Sequence, residues 1–381
     1  MVSQCEQIRT ILGLCARNRG HRVMYEQLAS KIACYFSQQL CAKTLVDQAE
    51  MQGVAPLLYT HLSAAGQELP GSQQRILRSL FQRSRRANIL RNRVAADILA
   101  AFDAQQIDSY LVKGIALANI IYDSPGLRSM RDIDLLLRKQ DLERACSILA
   151  EYGFSTAPHH RIPEKYYHLP PMYKRVSGLP ITIEIHHELL PQQSSYPVWT
   201  YENLCHAPQQ LSIEGTNART IDLETNLYYL YLHGLRAPLT YEPYRLIHAA
   251  DLISLTERFW DRMDWDRVRT LFPGVNAVLS ELHYISPWQD KFMEKLQIDK
   301  PRQPRRPPRP YRGWPQQKIK NTKPARWPRL FAETLYPCAW WIRVYYGCPD
   351  SLSYFRALLF EHPRNIWRWI KTYTQARWSN R

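Results

Sequence analysis

The 381-residue chain contains no CxxC pair, no apolar run of membrane-spanning length and no internal repeat. Its eight cysteines, Cys5, Cys15, Cys34, Cys41, Cys146, Cys205, Cys338 and Cys348, are scattered without regular spacing, which argues against a zinc ribbon or a disulfide framework and fits reduced thiols in a cytoplasm. No stretch approaches the ~18 apolar residues of a spanning helix. The opening text, MVSQCEQIRTILGLCARNRG, lacks the basic lead and small-residue cleavage site of a secretory signal. A cytoplasmic protein, at most peripheral at a membrane, is expected. Acidic residues are scarce in one region: from residue 300 onward there are 18 Lys and Arg against 3 Asp and Glu, so nearly all of the +16 net charge sits in the last fifth. The body is close to neutral. The basic tail therefore fits an anionic partner or a membrane surface, whereas the body need not.

Residues 1–105 read as a helical region: Leu45, Ala49, Leu57, Leu58 and Leu62 recur at helical spacing either side of Gly53, and ANILRNRVAADILAAFDAQQI is a long amphipathic helix. From 106 to 223 the period changes. SYLVKG is a short strand ended by Gly114, IALANIIYD a helix, IDLLL a buried strand, and DLERACSILAEYGF a helix with Asp141 at its cap and Gly153 past its end. MYKRV and ITIEIHHEL alternate around Ser177-Gly178-Leu179-Pro180, a hairpin signal. Residues 224–299 return to helical periodicity. Between 300 and 330 proline and arginine dominate, predicting an extended or disordered linker. Residues 331–381 form a basic, aromatic segment that folds back on the body. The fold class is α+β: a small mixed sheet flanked by helical regions.

The chemistry concentrates in RSMRDIDLLL. Residues two apart on a strand share a face, so Asp132 and Asp134 project together while Ile133 faces away. Two carboxylates against a core repel unless something neutralises them, and a divalent cation does so. A bare DxD is common in turns. Two further features add to it: Gly114, whose missing side chain lets phosphate approach the backbone, and Glu184, which shares a strand face with His186 while Ile183 and Ile185 take the other. Paired aspartates plus a third carboxylate are what two-metal phosphoryl transfer needs.

At LVKGIALANIIYDSPGLRSMRDIDLLL, LAEYGF and IEIHHEL the sequence resembles the DNA polymerase β-like nucleotidyltransferase superfamily. More narrowly, it is similar to the bacterial family of uncharacterised nucleotidyltransferases often encoded beside polysaccharide-assembly genes. The resemblance spans roughly residues 45–290, with weaker support in the helical flanks. It implies a small nucleotidyltransferase core, with residues 224–299 closing the cleft. It also implies transfer of a nucleoside monophosphate from a Mg2+- or Mn2+-bound nucleoside triphosphate such as ATP to a hydroxyl acceptor, which could be a saccharide, an RNA or a protein. Asp132, Asp134 and Glu184 would hold the metals and carry catalysis. Lys113, Gly114, Arg128, Arg131 and His186 would bind nucleotide. Ile115 stands where the superfamily usually has a Ser or Gly that contacts phosphate.

Blander readings accompany these residues. Lys113 could be a strand-end lysine reaching solvent, Arg128 and Arg131 could form a metal-free cluster with the aspartates, and His186 could be a satisfied, half-buried histidine. His187 and Glu188 form a zinc-like pair, but no second ligand pair stands at the right spacing. In the downstream helices, His233 and Asp251 fit structural hydrogen bonds better than a cleft lining. Two other functions stay open: a metal-dependent nucleotide-sugar glycosyltransferase, which needs no third carboxylate, and a catalytically silent assembly or binding module, favoured by Ile115.

Overall fold

The computed structural model describes residues 3–156, 167–190, 199–236, 245–298 and 311–378. Five helices open the chain: α1 (Gln4–Leu14), α2 (Arg22–Ser37), α3 (Ala42–Met51), α4 (Ala55–Ala64) and the 33-residue α5 (Ser72–Ala104). Gly53, at φ +76°, makes the left-handed turn between α3 and α4 that an L side chain resists. Then come β1 (Ser109–Val112), α6 (Lys113–Ile120), β2 (Asp132–Leu137), α7 (Leu142–Glu151), β3 (Ser155–Thr156), β4 (Met172–Val176) and β5 (Leu179–His186). The five strands form one mixed sheet in the order β1-β2-β5-β4-β3, with β2 and β5 parallel and the other pairs antiparallel. Ser177 and Gly178, both at positive φ, close the β4–β5 hairpin.

Alternation along the strands divides the sheet into two faces. Ile133, Leu135, Leu137, Ile181, Ile183 and Ile185 pack against Ile98 and Phe102 of α5, Ala116 of α6 and Leu149 of α7. The opposite face carries Asp132, Asp134, Glu184 and His186. It is partly roofed by an apolar cluster of Tyr110, Val112 and Leu136 with Tyr201 and Leu204 of α8 (Tyr201–Leu204) and Tyr229 of α9 (Leu223–Gly234). Between α8 and α9 lies the hairpin β6 (Gln209–Ile213) and β7 (Thr216–Thr220), which the sequence reading did not find.

The remaining helices are α10 (Leu246–Phe259), α11 (Trp265–Leu271), α12 (Val275–Leu282), α13 (Asp290–Lys295), α14 (Trp327–Leu335), α15 (Ala339–Tyr346), α16 (Ser351–Arg356) and α17 (His362–Trp378). The sequence divides residues 1–105 from 224–299, but one apolar cluster joins them: Ile11, Leu28 and Leu57 share a core with Leu227, Ile253 and Val278. Arg17 is fully buried at that junction, donating to the Ser286 hydroxyl and the Pro287 carbonyl and lying 3.3 Å from Glu257. α15 does fold back on this core, with Trp341 buried and the Trp340 indole donating to the Glu281 carbonyl. Of the expected Pro/Arg linker, 300–310 lie outside the described residues. Tyr311 and Gly313 are buried, Tyr311 against Trp341, and the Trp314 N–H donates to the Thr334 hydroxyl, whereas residues 323–329 are exposed.

Candidate functional site

The site grows out of the β2–β5 register. Because the two strands are parallel and Asp134 lies opposite Glu184, Asp132 opposite Thr182 and Leu136 opposite His186, the carboxylates of both strands fall on one face. Asp134 and His186 are buried there, with the His186 Nε2 2.9 Å from Asp134 Oδ1 and 3.6 Å from Glu184 Oε2. One ligand atom from each of Asp134, Glu184 and His186 falls within a 4.8 Å cluster, the one such group among the described residues. His187 is not part of it, and Glu188 instead pairs with Lys139 at 3.0 Å.

Lys113 enters the same space from the β1–α6 junction. Its ammonium is 2.5 Å from Asp134 Oδ1, 3.0 Å from His186 Nε2 and 3.7 Å from Glu184 Oε2. Its φ of +54° is one a lysine adopts only at a cost of about 1 kcal/mol or more. Strain at the residue whose charge meets two carboxylates marks this junction as a constrained part of the site. The blander alternative of a strand-end lysine reaching solvent does not hold, since the side chain turns inward onto the carboxylates.

The cluster's electrostatics follow from burial, the Lys113 ammonium and the hydrogen bonds of His186. Burial opposes ionisation of Asp134, yet Lys113 and His186 outweigh it and hold the carboxyl well below the usual carboxylate range. The hydrogen bond from His186 lowers Glu184 against its desolvation, with Lys113 helping. Burial disfavours the Lys113 ammonium, but Asp134, Tyr229 and Glu184 overcome that and keep it charged. Asp132 has no such partner: burial first and the negative Asp134 next push its pKa up to about 6, with Lys113 only partly offsetting them. Asp134 and Glu184 thus share the Lys113 ammonium, while Asp132 stands outside that pairing and is felt by the Arg91 guanidinium; a divalent cation would add positive charge where the carboxylates gather. Two carboxylates and an imidazole nitrogen within one cluster are a donor set a divalent cation accepts, so the residues present fit such an ion.

The structure separates the nucleotide-binding residues expected from sequence. Lys113 and His186 join the carboxylates. Arg128 does not: it is buried and clamped on Asp251 of α10, its Nε and Nη2 donating to both carboxylate oxygens at 2.8–3.2 Å, while Tyr122 donates to Asp251 at 2.7 Å. Its Nε–Nη2 edge is thus taken by both oxygens of one carboxylate, which compensates the charge without phosphate. Gly114 owes its small size to this pair, since a Cβ there would stand 2.7 Å from Arg128 Nη1 and 3.2 Å from the Met130 Cβ. Arg131 is exposed, and its carbonyl accepts from Arg91 of α5. Ile115 is fully buried in the core below the sheet and faces away from the site.

Several neighbours escaped the sequence reading. Arg91 is buried and feels the charge of Asp132. Tyr167 stacks near the His186 ring at 5.8 Å, and His168 lies 5.0 Å from it. From α10, His248 also escaped that reading; it approaches His233 of α9, which the sequence does single out, ring to ring at 5.4 Å, both pushed toward the neutral form by burial, and His233 also by the nearby His248 and Lys113. Their only sequence signals are the motifs YLHGL and RLIHAADL.

Acidic residues therefore gather on one face of a mixed sheet with helices around it. The chain belongs to the family described as uncharacterised nucleotidyltransferase, whose model matches residues 40–273. Three solved structures are similar to parts of it. The crystal structure of ANT(2")-Ia in complex with adenylyl-2"-tobramycin is 16% identical over 47% of this chain and 93% of that one, with a TM-score of 0.32. The solution structure of the antibiotic-resistance factor ANT(2'')-Ia is 14% identical over 52% and 98%, with a TM-score of 0.33. An antigenic nucleotidyltransferase-like protein from Paracoccidioides brasiliensis is 14% identical over 54% and 96%, with a TM-score of 0.32. No curated protein matches the chain.

Proposed function

We propose that the protein moves a nucleoside monophosphate from a magnesium-bound nucleoside triphosphate to a hydroxyl acceptor, at the face formed by Asp132, Asp134 and Glu184. The observation that carries this reading is the placement of Glu184 directly beside Asp134 on a parallel strand, with His186 beside both and one ammonium, Lys113, shared between the two carboxylates. Asp132, Asp134 and Glu184 would hold Mg2+ or Mn2+, with His186 Nε2 in reach. When bound, the metal would neutralise charge on the phosphoryl oxygens and acidify the acceptor hydroxyl. The chain's own contribution is positioning. Lys113 keeps Asp134 ionised in the metal-free protein and, from the same junction, offers its ammonium to a phosphate. Glu184, ionised at neutral pH, accepts a hydrogen bond from the acceptor hydroxyl and orients its oxygen. Tyr167 and His168 support the His186 ring.

Lys113 also supports a second reading. An ammonium resting on Asp134 substitutes for a cation, as it would in a catalytically silent module built on this fold. A glycosyltransferase has no use for a third carboxylate beside the first pair, so the position of Glu184 speaks against it. The acceptor class, saccharide, RNA or protein, follows from testing each. With α-labelled nucleoside triphosphates and magnesium, label should pass to one of these acceptors while pyrophosphate leaves, and Glu184→Ala should lower that transfer by orders of magnitude. Label transfer undiminished in Glu184→Ala would exclude the proposed site, and no transfer to any acceptor would favour the silent module.

A further inference from the structure

The last helices of the chain present an apolar surface that the catalytic reading does not use. Ten of the fifteen exposed large apolar side chains among the described residues fall between Trp327 and Ile370; the other five are scattered singly over earlier elements. On α14, Trp327, Phe331 and Leu335 recur every four residues and so form one outward stripe. α16, a π-helical turn at Ala357–Glu361 and α17 run on as one continuous helix, on which Leu352, Phe355, Leu359, Phe360, Trp367 and Ile370 are exposed, Leu352 at 81%, Phe360 at 69% and Trp367 at 67%. The extra residue of the π turn shifts the register by one, which carries the spacing of Leu352 and Leu359 on to Trp367. The inner face of this helix is already anchored. His362 is buried with its Nε2 on the Thr334 carbonyl of α14, Asn365 donates to the Tyr346 hydroxyl, and Trp369 packs on Tyr311. The two apolar stripes therefore sit on elements locked together at Thr334 and His362, and each points away from the body.

Charge decides what covers them. Arg326, Arg329, Arg356, Arg364, Arg368 and Lys371 are exposed on the same elements. The acidic residues there are few: Glu333 and Glu361 already face Arg329 and Arg356 at 3.0 and 3.6 Å, and Asp350 caps α16. A second copy of the chain would bring the same positive charge against itself. A nucleic acid would satisfy the arginines and the aromatic rings but leave Leu335, Leu352, Leu359 and Ile370 without a partner, since an aliphatic side chain offers no stacking face. Exposed Trp, Phe and Leu among Arg and Lys, on a helix lying along the surface, match the demands of an anionic bilayer interface. None of these helices is long and apolar enough to cross a membrane, so the contact would be in the plane of the surface.

We infer that α14 and the α16–α17 helix dock the protein on an anionic lipid surface, with the apolar side chains inserted among acyl chains and the basic ones on the headgroups. The test is co-sedimentation of the full chain with phosphatidylcholine vesicles, with and without phosphatidylglycerol. Partitioning onto the anionic vesicles should exceed that onto neutral ones at least tenfold and fall with added salt. It should fall at least tenfold in Leu352→Ser/Leu359→Ser/Phe360→Ser, and also in Arg364→Gln/Arg368→Gln/Lys371→Gln. All six positions are exposed, so an unchanged circular dichroism melt should accompany the loss. Absence of binding to anionic vesicles would overturn the inference. So would binding unaffected by the apolar triple variant, self-association that the same variant abolishes, or an RNA that displaces the protein from vesicles through the apolar residues.

Discussion

Asp132 and Asp134 stand two residues apart on one strand face, yet removing their charges should move stability in opposite directions. Asp132 makes no ion pair among the described residues and is only partly offset by Lys113 and Arg91, and its rise from the ordinary 3.8 to about 6 means that ionising it in the folded protein costs up to about 3 kcal/mol relative to the unfolded chain. The folded state holds this proton more tightly than the unfolded state does. Its contribution to stability therefore falls as pH rises from about 4 to about 6 and stays unfavourable above that. In chelator, Asp132→Asn should stabilise the protein by about 1–3 kcal/mol at neutral pH, and the gain should shrink to nothing toward pH ~4. Asp134 is the reverse case: its depressed carboxyl contributes stability above the ordinary 3.8 that is lost only in stronger acid. Asp134→Asn strands the Lys113 ammonium in a buried site and should cost about 3–5 kcal/mol. The double change Asp134→Asn/Lys113→Met should recover most of that loss. Urea unfolding monitored by circular dichroism across that pH range measures all three. A destabilising Asp132→Asn, or an Asp134→Asn that costs no more than a surface change, would refute this assignment of partners.

Lys113→Met should tighten Mn2+ binding in the absence of nucleotide by roughly tenfold, about 1.4 kcal/mol, because the ammonium that shares Asp134 Oδ1 is gone; calorimetry reads this, and weaker binding would contradict it. Asp251→Ala should destabilise the protein by about 3–5 kcal/mol in thermal melts by leaving Arg128 buried and unpaired, and little change would show that the clamp is not structural.

Part of this arrangement is legible in the sequence, and part is not. Alternation in IDLLL and ITIEI is a local property with a period of two, and it separates Asp132, Asp134, Glu184 and His186 from the isoleucines as the sheet does. Ser177-Gly178 is likewise local, since a tight hairpin needs positive φ. The position of Lys113 is not, because nothing in SYLVKG records a left-handed backbone or the two carboxylates that draw the ammonium in. Arg128 and Asp251 are 123 residues apart, and a pair of that separation leaves no periodic trace. The β6–β7 hairpin, QQLSI and TNART around Glu214-Gly215, is too polar for a hydrophobic pattern to reveal. The core shared by the first and later helices follows from which amphipathic faces meet, and each sequence segment shows only its own face.

The central claim is that the carboxylates on β2 and β5 tolerate one another because they receive a metal-bound nucleotide. Calorimetric titration of each nucleoside triphosphate into the wild type and into Asp132→Ala/Asp134→Ala, with and without magnesium, tests it most directly. The expected result is magnesium-dependent binding of at least one nucleotide that the double variant loses. Binding that is absent in the wild type, or indifferent to both magnesium and the double variant, would contradict the claim and leave Lys113 as the permanent cation of a structural cluster.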